Sequence, residues 1–290
     1  MELLVTLRNK ELLDVIKPHA DGVIVGCLFA LSYNYTLDDL KLIRLYCSEN
    51  NLKFYVVIDA FISEDDKAQL YNYMEFLQDL HVDGIYFHDL AVLDIADSYQ
   101  MRNLLIYDGY SVMCNSIEAA FYLSKGIKGV EISRELTLEE IRQIVKLNPN
   151  GIDMQIFGHL RMSYSKRKFI RNYLNEINAH YDYHNSDSLR LIEEKRNYKM
   201  PIIEDEYGTR IYSDFVFNMF HELPELKPLL NRGIIDTLFI PKECINDLLR
   251  EYKRVTKENC DFLKQSFHKK YPLRYSSGYL YQKTNISKDE

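Results

Sequence analysis

Residues that break or loosen a chain are scarce here: 11 glycines and 7 prolines in 290 residues exclude a Pro/Gly-rich or low-complexity polymer. Hydrophobic residues make up 47% and charged residues 27%, so the disordered class is excluded as well and a globular chain is expected throughout. Long apolar runs are missing. The stretch 22–31 is interrupted too soon to cross a bilayer, and the opening MELLVTLRNK has no basic region followed by an apolar core. The expectation is therefore no membrane span, no secretion signal and a cytoplasmic location. The cysteines Cys27, Cys47, Cys114, Cys244 and Cys260 are odd in number, scattered, and never form C-x-x-C, the usage of reduced thiols that behave as small apolar residues. A zinc or iron–sulfur site would need several of them gathered by the fold, so no metal ligands are assigned. An excess of positive charge is also lacking. A net charge of −7 argues against a protein that coats nucleic acid by charge alone, and leaves room for a local basic patch. Absent too are G-x-S-x-G, H-E-x-x-H, the Walker loop and G-x-G-x-x-G, the common hydrolase and nucleotide signatures.

What is present is a rhythm. Short β-branched or aromatic runs at 3–6, 22–25, 53–58, 84–88, 104–107, 129–133 and 152–157 alternate with amphipathic stretches, the pattern of a parallel sheet built from βα units. Thr36 with Asp39, Ser63 with Asp66, and Thr137 with Glu140 have capping-box spacing. Glycine precedes an apolar run at Gly22, Gly84, Gly129 and Gly151, as if each ended a helix before the chain enters the sheet. The stretch 233–240 restores this pattern and supplies an eighth strand. The predicted fold is α/β, a single (β/α)8 TIM-type barrel over 1–290. It carries an insertion at 161–232 with extended segments near 187–196 and 201–214, a turn at 206–209, and a polar, partly frayed tail at 274–290.

In such a barrel the working groups project from the C-terminal strand ends. That rule collects Arg8, Lys10, Asp59, His88, Asp89, Asp108, Asn115, Arg134, Glu135, Gln155, His159 and Arg161 into a mixed-charge rim. Candidate catalytic residues are His88, Asp108, Glu135 and His159, the imidazoles as bases near neutral pH and the carboxylates as orienting or proton-accepting groups. Each has a blander reading as a hydrogen-bonded loop residue. Candidate substrate-binding residues are Asp59, Asn115, Arg134, Gln155, Arg161, Tyr164, Ser165, Lys166 and Arg167. Asn115 equally reads as the cap of a helix, and Arg134 with Glu135 as an ion pair. The run 161–168 concentrates four cations and three hydroxyls suited to phosphate or carboxylate; its alternative is an exposed basic helix start.

Four segments then carry a resemblance. Glu131-Ile132-Ser133-Arg134-Glu135-Leu136-Thr137-Leu138-Glu139-Glu140-Ile141 resembles the S-R-E-L-[ST]-L-x-E-I segment of the U32 peptidases, also called collagenase-like proteases. Residues 153–165 are similar to that family's E-x-F-x-H-G-A-L-C-x-S-Y-S signature, Pro201 to Thr209 to its Y-P-V-x-E-D-x-x-G-T stretch, and Ser277 to Tyr281 to a G-F-L-Y ending. There are departures. Arg161 and Lys168 stand where the family has cysteines, Asp153 and Phe157 where it has an acid and a histidine, and residues 238–243 replace its K-I-E-G-R-M-K-S. The resemblance implies a barrel fold. It also implies, from members that act in RNA hydroxylation, a role in 5-hydroxylation of tRNA wobble uridine, with tRNA, a small anion such as prephenate and a larger cysteine-bearing paralogue as partners. The iron–sulfur cluster held by several members is not expected on a chain without those cysteines. The alternatives are a peptidase, as the family name implies, and a non-catalytic scaffold for the paralogue.

Overall fold

A computed structural model describes residues 1–31, 35–110, 112–194 and 198–282. The strands are β1 (Glu2–Thr6), β2 (Gly22–Gly26), β3 (Lys53–Ile58), β4 (Gly84–Phe87), β5 (Leu105–Asp108), β6 (Gly129–Glu131), β7 (Ile152–Ser165), β8 (Arg190–Ile192), β9 (Lys199–Asp205), β10 (Gly208–Asn218), β11 (Arg232–Ile235) and β12 (Tyr275–Ser276). Strands β1 to β7 pair in parallel in chain order, and β11 pairs in parallel with both β7 and β1. The sheet thus closes into an eight-stranded parallel barrel, with helices in the connections. The helices are α1 (Leu13–Ile16), α2 (Leu37–Glu49), α3 (Lys67–Asp79), α4 (Leu90–Ser98), α5 (Ser116–Ser124), α6 (Leu138–Leu147), α7 (Phe169–Glu176), α8 (Leu223–Leu226), α9 (Lys242–Arg254) and α10 (Cys260–Lys270). None among the described residues is long and apolar enough to cross a membrane.

Alternation along each strand divides the core. On β3, Tyr55 and Val57 join Leu4, Ile24, Tyr86, Ile106 and Ile234 inside the barrel, while Phe54, Val56 and Ile58 pack outward against the helices. The three capping boxes form at Thr36–Asp39, Ser63–Asp66 and Thr137–Glu140. The glycines before the strands have a different role from the one expected. The left-handed backbone falls on His81, Gly126 and Asn150, ahead of Gly84, Gly129 and Gly151, and the strand glycines make room for close packing: a Cβ on Gly84 would lie 2.7 Å from the Tyr55 ring. Beneath the apolar belt, Asp153 is fully buried, 2.5 Å from Arg232 Nη1 and 2.9 Å from the Tyr86 hydroxyl. Burial outweighs these partners and pushes its carboxyl up to about 6.

Strand β7 is longer than its sequence suggested. It follows β11 as far as Phe157, then continues to Ser165 as the antiparallel partner of β10. The crossover is at Gly158, at φ +121°, where a Cβ would sit 2.5 Å from the Asp236 carbonyl. The cationic run therefore starts on a strand, and not at a helix start. The β9–β10 hairpin turns at Glu206 and Tyr207 and reaches over the mouth, where Tyr207 Oη accepts from the Phe29 amide at 2.8 Å; in the connection between α7 and β8, Asn185 accepts from Arg8 at 3.4 Å. Of the extended segment expected near 187–196, Arg190–Ile192 forms a strand and residues 195–197 lie outside the described residues. The tail is docked rather than frayed as far as residue 282: β12 pairs with β10, Leu280 is buried, and its carbonyl accepts from Leu138 N at 2.9 Å.

Candidate active site at the barrel mouth

Two adjoining cavities open at the C-terminal ends of the strands, and Arg134 and Arg161 line both. The inner one, about 70 Å³, lies within the barrel among Thr6, Asp59, Asp108, Glu131, Gln155 and Asp236. Arg134, from the loop after β6, donates Nε to Gln155 at 2.8 Å and Nη2 to Glu131 at 2.7 Å. Arg161, from the β7 extension, donates Nη1 to Asp59 at 2.7 Å and lies 3.6 Å from the centre of the Tyr110 ring. Both guanidiniums approach Asp108 more loosely, at 3.5 Å, and Arg161 Nε is buried with no hydrogen-bond partner among the described residues. The pair therefore keeps N–H capacity that its own carboxylates do not take up.

The carboxyls divide into two kinds. Burial pushes Glu131 up to about 8 despite Arg134 beside it. Asp236 is likewise raised by burial, against hydrogen bonds from Leu238 N and the Thr6 hydroxyl. Asp108 is buried too, but Arg134 and Arg161 together hold it below the usual carboxylate range. Burial thus shifts Glu131 toward its protonated form, while the two guanidiniums favour Asp108 as an anion.

The outer cavity, about 240 Å³, is walled by Phe61, His88, Tyr110 and Tyr164, with Glu135 and Ser163 at its edge. It exceeds the ~150 Å³ that accepts a benzene ring. Phe61 stacks on Tyr164 with centroids 4.8 Å apart, and His88 meets Tyr110 edge-on at 4.1 Å. His88 Nδ1 lies 2.8 Å from the Asp108 carbonyl, which fixes the ring.

The structure brings together at the mouth Asp59, His88, Asp108, Arg134, Glu135, Gln155, Arg161 and Tyr164. Neither cavity is lined by His159, whose Nδ1 lies 2.7 Å from the Ser213 carbonyl and whose ring meets Phe239 edge-on. Asn115 caps α5 by accepting from Glu118 N at 2.8 Å, Asp89 caps α4, and Lys10 pairs with Asp39 at 2.6 Å. Ser165, Lys166 and Arg167 lie on the hairpin arm beyond the mouth; Lys166 Nζ reaches the Phe61 carbonyl at 3.4 Å. Sequence reasoning missed Thr6, Phe61, Tyr110, Glu131, Tyr212 and Asp236. Glu131 and Asp236 could have been found, since each sits at or just past a strand end and so obeys the rule that found Asp59. The aromatic walls gave no such signal among 23 tyrosines and 14 phenylalanines.

The model of peptidase family U32 matches residues 10–290. This chain belongs to that family. Among its relatives, tRNA hydroxylation protein P2 of Bacillus subtilis is 27% identical over 87% of this chain and 84% of its own length. The uncharacterized protease MJ0090 of Methanocaldococcus jannaschii is 26% identical over 93% of this chain and 70% of its own. The solved structure of the U32 peptidase Mk0906 superposes with a TM-score of 0.52 at 14% identity, covering 81% of this chain and 92% of that one; this likeness speaks for the fold alone. The family's E-D-x-x-G-T stretch has a structural role in this U32 protein. Glu204 accepts from the amides of Ile170 and Arg171 at the start of α7, and Asp205 forms a buried two-bond pair with Arg210 at 2.6 Å. A Cβ on Gly208, at φ +136°, would collide with the Ser165 carbonyl.

Proposed function

We propose that this U32 protein is a component of a tRNA hydroxylation system acting on wobble uridine, and that its mouth takes up a small anion such as prephenate. The observation that carries this reading is the placing of Arg134 and Arg161 between two cavities with unspent donor capacity, beneath aromatic walls that suit a flat ring. The similarity to a tRNA hydroxylation protein along most of both chains supports the same reading. Guanidinium forks suit carboxylate, and Glu131 supplies a proton in the same chamber.

The iron–sulfur cluster implied by the family does not fit this chain's own residues. Such clusters need several thiolates together, whereas Arg161 is engaged by Asp59, Lys168 Nζ by the Asp205 carbonyl, and Cys27, Cys47, Cys244 and Cys260 are buried on separate elements. Burial raises the thiols of the first three. A redox centre, where the reaction uses one, belongs to the partner, a larger cysteine-bearing paralogue.

Deleting the gene together with its paralogues, then restoring this chain with and without the larger one, tests the reading by mass spectrometry of tRNA nucleosides. 5-Hydroxyuridine-derived nucleosides return only when this chain is present; their persistence without any U32 protein contradicts the proposal.

A peptidase is the second reading, favoured by Ser163 at the edge of the outer cavity. It ranks lower because, among the described residues, neither His88 nor His159 hydrogen-bonds to Ser163, and His159 lines neither cavity. Incubation with gelatin and short peptides decides: cleavage abolished by Ser163→Ala reverses the ranking.

A further inference from the structure

The hairpin arm beyond the mouth combines two features that the site itself does not use. The first is charge. Residues 154–175 carry five cations, Arg161, Lys166, Arg167, Lys168 and Arg171, and no carboxylate, in a chain of net charge −7. Arg161 is committed to the mouth and Lys168 turns inward to the Asp205 carbonyl, while Lys166, Arg167 and Arg171 are exposed. The second is aromatic surface. Phe169, Tyr173 and Tyr181 are 44%, 63% and 55% exposed around a largely apolar cavity of about 600 Å³ between α7 and the β8–β9 strands. Large rings left in water on the same arm as exposed cations mark a binding surface rather than a packing remnant.

The helix N-terminus is not available to an anion, because the buried Glu204 carboxylate already accepts the amides of Ile170 and Arg171. The cations must therefore act through their side chains. Their combination on one arm, exposed cations and rings that can stack, matches what single-stranded nucleic acid presents: a polyanionic backbone with bases whose faces are free. A paired duplex offers the phosphates without the faces. The arm is also continuous with the mouth, since Lys166 reaches the carbonyl of Phe61, which walls the outer cavity.

We propose that the β7–α7 arm is a docking platform for a single-stranded RNA loop, with Lys166, Arg167 and Arg171 on its phosphates and Phe169, Tyr173 and Tyr181 stacking on its bases. This deepens the tRNA reading by naming the surface that holds the RNA, and rests on that reading only for the choice of RNA over DNA.

The test is fluorescence anisotropy of the full chain with a labelled RNA hairpin bearing an open uridine-containing loop, and with the same stem fully paired, across a salt series. The hairpin is expected to bind more tightly than the duplex. Arg167→Ala with Arg171→Ala should flatten the log–log salt dependence by roughly 0.7 for each phosphate left without its cation. Tyr173→Ala should weaken the hairpin about tenfold or more while leaving the duplex unchanged. These side chains are exposed, so an unchanged melting temperature checks that the variants fold. Equal binding by all variants, equal preference for duplex and hairpin, or no RNA binding at low salt overturns the proposal. So does sedimentation showing that Tyr173→Ala breaks an association of the protein with itself while RNA affinity stays intact. Loop binding through the arm without any effect of gene deletion on tRNA nucleosides would sink the functional reading and leave the platform standing; the converse result would do the opposite.

Discussion

Glu131 sets the electrostatic character of the mouth. A carboxyl that holds its proton more tightly folded than unfolded is a liability above its unfolded value: stability is complete below about 4.5 and declines as the pH rises through about 8. The melting temperature of Glu131→Gln should accordingly fall less steeply than that of the wild type between those limits, as calorimetry across a pH series would record; parallel profiles would refute the assignment. Arg161 behaves in the opposite sense. Its side chain is only 10% exposed, against Asp59 at 8% and Asp108 at 7%. Arg161→Ala leaves those anions short of a cation and should cost about 3–5 kcal/mol in urea unfolding, part of which Asp59→Asn in the same chain recovers. At this scale the sequence was legible where chemistry and position coincided. Asp59, Asp108, Arg134 and Arg161 are polar residues at or beyond strand ends and were found; Tyr110 and Phe61 are as central but resemble the rings that merely pack. His159 shows the limit from the other side. It satisfies the rule by position, yet the shift of β7 from β11 to β10 puts its ring against Phe239 and Ser213.

Among the elements, the hairpin arm is the one whose design the sequence concealed. Seven strands and the eighth were readable from period and turn chemistry because each buries both faces, and the capping boxes marked helix starts. The extension of β7 was not readable, since its continuation depends on pairing with β10, some fifty residues later, through a left-handed glycine. The E-D-x-x-G-T stretch was visible as a motif, but its purpose became clear only once Glu204 was found beneath the first turn of α7 and Gly208 against Ser165. Removing the carboxylate in Glu204→Ala should loosen the arm while sparing the barrel. Hydrogen exchange is expected to accelerate at Phe169, Ile170 and Arg171 with the amides of β1 to β6 unchanged, and uniform acceleration over the chain would show that Glu204 serves the whole fold instead.

On the scale of the whole molecule, a closed parallel barrel gathers groups from strands far apart in sequence at one end, and the inserted segment roofs that end, its hairpin touching the loop after β2 and its α7–β8 connection the loop after β1. The result is a small buried chamber of mixed charge, a ring-sized chamber above it, and a basic aromatic arm leading outward. The fold followed from composition and rhythm; the identity of the ligand does not follow from either, because the same rim serves many chemistries on this architecture. The most direct measurement places variants of the mouth in a strain lacking every other U32 protein except the larger paralogue and quantifies 5-hydroxyuridine-derived nucleosides in its tRNA. Arg134→Gln, which keeps a polar neighbour for Gln155 while removing the guanidinium shared by both chambers, should abolish those nucleosides at unchanged protein abundance. Wild-type levels with Arg134→Gln would contradict a working site at the mouth.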